Sequence, residues 1–121
     1  RAYSTLNVTF SHTKWIEPDL VVLNQPVRGL TWVPAEKVLI PIEFVSTSSR
    51  RKDRIDKPAL CAAAGVPYFM RVEIDQDNAL VELFKLDDGE YALYTKAEAG
   101  QRFETELPFP VSFDPAVLLE S

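Results

Sequence analysis

From Val38 the chain runs through Leu39, Ile40, Pro41, Ile42, Glu43, Phe44 and Val45 to Ser46 with one carboxylate as its only charge. Such a run reads as a strand buried on both faces. Its single acid is the constraint. Burying an ionised glutamate among Ile, Phe and Val costs several kcal/mol unless a cation or hydrogen-bond donors compensate. Glu43 therefore either helps to hold a metal ion or sits at a strand end, where it caps or pairs with an arginine.

The 121 residues, 46% hydrophobic and 26% charged, fit one globular domain. A net charge of -5 speaks against a protein that holds nucleic acid by a general positive field, although a local basic patch remains compatible with it. Cys61 is the single cysteine and His12 the single histidine, which excludes an internal disulfide, a cysteine zinc cluster and a histidine-rich metal site. No apolar run approaches the roughly 20 residues of a membrane span, and no signal-like segment opens the chain. These features point to a cytoplasmic, non-membrane protein. Because the chain opens at Arg1, not at a methionine, just before strand-like sequence, it reads as a truncated or processed piece of something longer.

Strand-like segments run over Leu6 to Phe10, Asp19 to Leu23, Val38 to Ser46 and Tyr68 to Ile74. Asn24 to Glu36, with Pro26, Gly29 and Pro34, reads as a long connection in which Trp32 covers the core edge. Arg50 to Ala64 reads as a helix ending at Gly65, with Ile55, Ala59, Ala62 and Ala63 inward; Pro58 implies either a kink or a start near Asp53. Strand, helix and strand in succession predict a right-handed crossover, with Tyr68 to Ile74 parallel to the Glu43 strand. Leu80 to Leu86 and Tyr91 to Ala97 flank Asp87, Asp88, Gly89 and Glu90, which predicts a hairpin. Short strands at 102–105 and 111–113 and a helical turn to Leu119 complete an α/β fold.

Asp19 after Pro18 on one strand, and Glu43 on the next long one, form a pair of hard carboxylate ligands of the kind that hydrolytic Mg²⁺ sites use. Here the sequence resembles a known group. The block from Glu43 through Ser46, Arg50, Lys52, Asp53 and Lys57 to Ala62, Gly65, Pro67 and Phe69, together with Asp19 to Val22, is similar to the Uma-two family of restriction-endonuclease domains in the PD-(D/E)XK nuclease superfold. The resemblance spans about Asn7 to Asp114.

It implies a restriction-endonuclease-like mixed sheet with one crossover and a C-terminal hairpin, and Mg²⁺- or Mn²⁺-dependent hydrolysis of DNA. It places the metal-binding acids on Asp19 and Glu43, with the Phe44 carbonyl as a further ligand, and a catalytic lysine on Lys57. The superfold's usual lysine two residues after the glutamate is absent, because Val45 stands there. Thr47, Cys61 and Met70 also depart from the family's habit of proline, tyrosine and tryptophan. Family members usually carry an N-terminal helix that packs on the sheet, so the resemblance implies that a homodimer contact or a missing N-terminal segment covers it.

Each residue has a plainer role beside the functional one. Ser46, Arg50, Arg51 and Lys52 are candidates for holding substrate phosphates, against a helix cap for Ser46 and a solvated face for the charge run. Lys57 orients water or stabilises charge, or only pairs with Asp53 four residues before it. Cys61 reads as core and His12 as a loop residue. Against the endonuclease stands a non-catalytic interaction or ligand-binding module on the same fold, which the acidic charge and the missing lysine favour.

Overall fold

The computed structural model describes residues 2–3, 6–11, 15–16, 18–24, 32–45 and 55–119. Among these residues eleven strands run in chain order: β1 (Ala2–Tyr3), β2 (Asn7–Thr9), β3 (Trp15–Ile16), β4 (Leu20–Leu23), β5 (Trp32–Pro34), β6 (Val38–Val45), β7 (Tyr68–Ile74), β8 (Ala79–Asp87), β9 (Glu90–Glu98), β10 (Phe103–Thr105) and β11 (Val111–Phe113). One α-helix, α1 (Lys57–Ala63), lies between β6 and β7, and 3-10 turns occupy Ala35–Lys37 and Pro115–Leu119. The fold is α/β, with a mixed sheet in the order β1-β4-β6-β7-β8-β9. β6 and β7 pair in parallel across the helical crossover, as the strand-helix-strand pattern predicts, and the other pairs of this sheet are antiparallel.

The C-terminal hairpin forms where its turn chemistry predicts. Asp88 and Gly89 both take positive φ, 52° and 82°, which matches the twist of a two-residue hairpin loop. Gly65, with φ 79°, ends α1: Val66 N–H donates to the Cys61 carbonyl and Gly65 N–H to Ala62, so the last carbonyls of the helix are met.

Alternation sorts the side chains onto two faces. Toward α1 lie Val21, Leu23, Val38, Cys61, Val66 and Phe69, joined by Val8, Ile16 and Val33 from a small sheet of order β3-β2-β5. The opposite face gathers Val22, Ile40, Val72, Val81 and Leu83 under Phe103, Val111, Phe113 and Leu118 of the C-terminal segment. A bulge sets which face Glu43 occupies. Val22 pairs with Ile40 but Leu23 with Val38, so Leu39 is an extra residue on β6. Leu39 and Ile40 consequently both face the C-terminal segment, and Pro41, Glu43 and Val45 turn toward α1.

Two expectations are corrected. The connection between Asn24 and Glu36 contains β5, whose Val33 is buried while Trp32 is exposed, so valine and not tryptophan fills the core there. Residues 7–9 pair with 32–34 in parallel, a contact that no local pattern announces. The described α-helix spans Lys57–Ala63, with Pro58 in its first turn where a missing N–H costs nothing, and residues 50–54 of the expected helix lie outside the described residues. Cys61 and Leu60 face the core, while Ala59, Ala63 and, just before α1, Ile55 are exposed, not inward.

Candidate functional site

Glu43 lies on β6 near the carboxyl ends of the two parallel strands, the region where α/β sheets place their ligands. Its side chain is 2% exposed. The compensating cation is a lysine rather than an arginine: Lys57 Nζ stands 3.2 Å from Glu43 Oε1, with 14% of the lysine side chain exposed. Lys57 is the first residue of α1, so the crossover that makes β6 and β7 parallel also carries the ammonium over the acid.

Asp19 comes from the approach to β4. Leu20 pairs with Ile42, so one further step sets Asp19 opposite Glu43. The carboxylate of Asp19 confirms this placement, because its Oδ2 accepts the backbone N–H of Phe44 at 2.7 Å. In an extended strand the N–H and C=O of one residue point to the same neighbour, so the Phe44 carbonyl also leaves β6 on the Asp19 side. Asp19 is exposed and Glu43 buried, which gives the pair a wet and a dry member.

The row continues across the sheet. Glu43 is in register with Arg71 of β7, Arg71 with Glu82 of β8, and Glu82 with Lys96 of β9. Arg71 Nε approaches Glu82 Oε1 at 3.3 Å, and the guanidinium carbon lies 5.2 Å from the centre of the Phe84 ring. Sequence reasoning singles out Glu43 and passes over Arg71, although the signal is related: a charge set between the apolar Phe69, Met70 and Val72, with Glu73 as the other charge of that strand.

Cys61 registers the electrostatics of this face. Burial first, then the Glu43 carboxylate, push its thiol up to about 12, against a smaller opposite pull from Lys57. Burial likewise raises the phenol of Tyr91, whose hydroxyl donates to the Val66 carbonyl at 2.8 Å. Of the remaining predicted residues, Ser46, Arg50, Arg51 and Lys52 lie outside the described residues, as do His12 and Asp53.

Two carboxylates and a backbone carbonyl suit a small hard ion such as Mg²⁺, which takes one or two protein acids and fills its octahedron with water and phosphate oxygen. Among the described residues no group of three or more His, Cys, Asp and Glu side chains lies together. No helix among the described residues is long and apolar enough to cross a membrane.

The model of the Uma2 family, described as "Putative restriction endonuclease", matches residues 1–118. The chain belongs to the Uma2 family. Its fold is similar to the crystal structure of "a putative nuclease belonging to DUF820 from Anabaena variabilis ATCC 29413", with a TM-score of 0.59 and 15% identity over 98% of this chain and 67% of that one. No curated protein matches it. In this Uma2 chain Asp19, Glu43 and Lys57 are brought to one side of the sheet around β6.

Proposed function

We propose that the chain is a Mg²⁺- or Mn²⁺-dependent endonuclease that hydrolyses DNA phosphodiester bonds at Asp19, Glu43 and Lys57. The observation that carries this reading is a glutamate kept 2% exposed in a strand core, beside a second acid on the neighbouring strand. A structural acid has no need of that arrangement, because a surface position avoids the desolvation altogether.

Asp19 and Glu43 would hold the ion, with the Phe44 carbonyl beside them. When bound, a divalent ion lowers the pKa of its water and offsets charge on the phosphate. Lys57 would supply further positive charge: its ammonium, held at Glu43, stands beside the acids that would hold the ion and could stabilise charge developing on the phosphate. The position of Lys57 at the start of α1 makes up for Val45, which stands where the superfold usually has its lysine. The wet side of Asp19 admits water and substrate, and the dry side of Glu43 strengthens each electrostatic contact.

A second reading, a non-catalytic interaction module, is favoured by one observation. The Lys57–Glu43 pair neutralises the buried acid without any ion. Calorimetric titration with Mn²⁺, run beside cleavage of supercoiled plasmid with Mg²⁺ and with chelator, separates the two. The nuclease reading expects binding that Asp19→Asn and Glu43→Gln abolish, and cleavage that the chelator stops. A protein indifferent to Mn²⁺, with plasmid intact, is the interaction module.

A further inference from the structure

Beside the acids lies a cavity of about 180 Å³, bounded by Pro58 of α1, Phe69 and Arg71 of β7, Phe84 of β8 and Tyr91 of β9. Its walls are aromatic and fixed. The rings of Phe69 and Tyr91 pack with centroids 5.6 Å apart, and the Tyr91 hydroxyl is tied to the Val66 carbonyl. Arg71 lies over the Phe84 ring and pairs with Glu82. Phe69 is buried, whereas Phe84, Arg71 and Tyr91 are half-buried, so the space opens outward from an apolar floor. A rigid apolar slot carrying one planar cation matches a flat π-system with acceptor atoms at its edge.

Location decides which π-system. Pro58 follows Lys57 in the chain and Arg71 is in register with Glu43 on the adjacent strand, so the cavity adjoins the Glu43–Lys57 pair. We propose that this cavity takes a single unpaired nucleobase next to the scissile phosphate, so that the enzyme acts on single-stranded or frayed DNA. The inference rests on the nuclease reading and names its substrate form. Base stacking on aromatic rings and an arginine plane contributes affinity beyond the electrostatic attraction of the backbone, which a chain of net charge -5 supplies only weakly. Arg71 is then a substrate-positioning residue.

The test places the change in the DNA as well as in the protein. Short single-stranded oligothymidylates, each with one abasic site at a different position, are titrated by fluorescence anisotropy in Ca²⁺ and digested in Mg²⁺. Loss of one particular base, fixed relative to the cut, is expected to weaken binding roughly tenfold, with its neighbours nearly neutral. Phe84→Leu, which keeps an apolar side chain but removes the ring, should bind the intact oligonucleotide as weakly and no longer respond to the abasic site. Cleavage with a flat abasic scan overturns the cavity proposal and leaves the nuclease standing. Failure to bind or cut any oligonucleotide or plasmid overturns both.

Discussion

The two faces of the six-stranded sheet are made by alternate residues of the same strands, and they have opposite characters. Ile42 and Glu43 are neighbours in the chain, yet Ile42 packs with Val22, Val72, Val81 and Leu83 under Phe103. Glu43 stands in the row of Asp19, Arg71, Glu82 and Lys96 on the face toward α1. One face is a core and nothing else; the other accepts desolvation costs that packing alone does not require. The bulge at Leu39 keeps them apart, since removing that extra residue would move Glu43 into the aliphatic face.

The largest contrast is expected between Glu43→Gln and Leu83→Ala. Glutamine keeps the shape of Glu43 and removes its charge, so cleavage should fall about a thousandfold while stability moves by about 1 kcal/mol or less. Leu83 is fully buried, and its truncation should cost about 2–5 kcal/mol while the folded fraction cuts at the normal rate. Urea unfolding and single-turnover cleavage on both variants read the two axes separately. Equal losses of stability and activity in both variants would erase the distinction between the faces.

Lys57→Met comes next. It leaves the Glu43 carboxylate buried without the ammonium at 3.2 Å, which should destabilise by about 2–3 kcal/mol and slow cleavage about a hundredfold. Adding Glu43→Gln should restore most of the stability, because the charge that needed the lysine is gone, and none of the activity. Additive stability losses in this cycle would mean that the pair is not coupled and that Lys57 is a surface residue.

How much of this could be read from residues alone depended on how local each cause was. The strand around Glu43, the Asp88–Gly89 turn and the Gly65 helix end each depend on a few consecutive residues, and each appears where its residues predict. β5 was illegible because its partner is a segment more than twenty residues earlier, and three residues carry too little alternation to declare a strand. The inward face of α1 is poorly marked because alanine carries little apolar signal: Ala59, Ala62 and Ala63 do not single out a face, and Leu60 and Cys61 take the core. Asp19 and Glu43 could be paired from the order of strands, but setting them opposite each other required the bulge at Leu39. Lys57 was found through family resemblance, since a separation of 14 positions along the chain conceals its contact with Glu43. Arg71 was visible and unasked for.

The smallest effect concerns Cys61, which presses from α1 onto the charged face. An ordinary thiol at 9.0 is raised to about 12 here by burial and by Glu43. A folded-state value above the unfolded one means that the stability contribution is complete below pH 9 and is lost as pH rises from 9 toward 12, because the unfolded chain releases the proton first. Between pH 8 and pH 10 the loss from Cys61 should be about 1 kcal/mol, to which Tyr91, ordinarily at 10.0 and raised by burial, adds a smaller loss of the same sign near pH 10. Cys61→Ala should lower stability overall but flatten this slope, as urea midpoints at the two pH values would reveal. The same slope in Cys61→Ala as in the parent chain would assign the pH dependence elsewhere and detach the cysteine from the electrostatics of the Glu43 face.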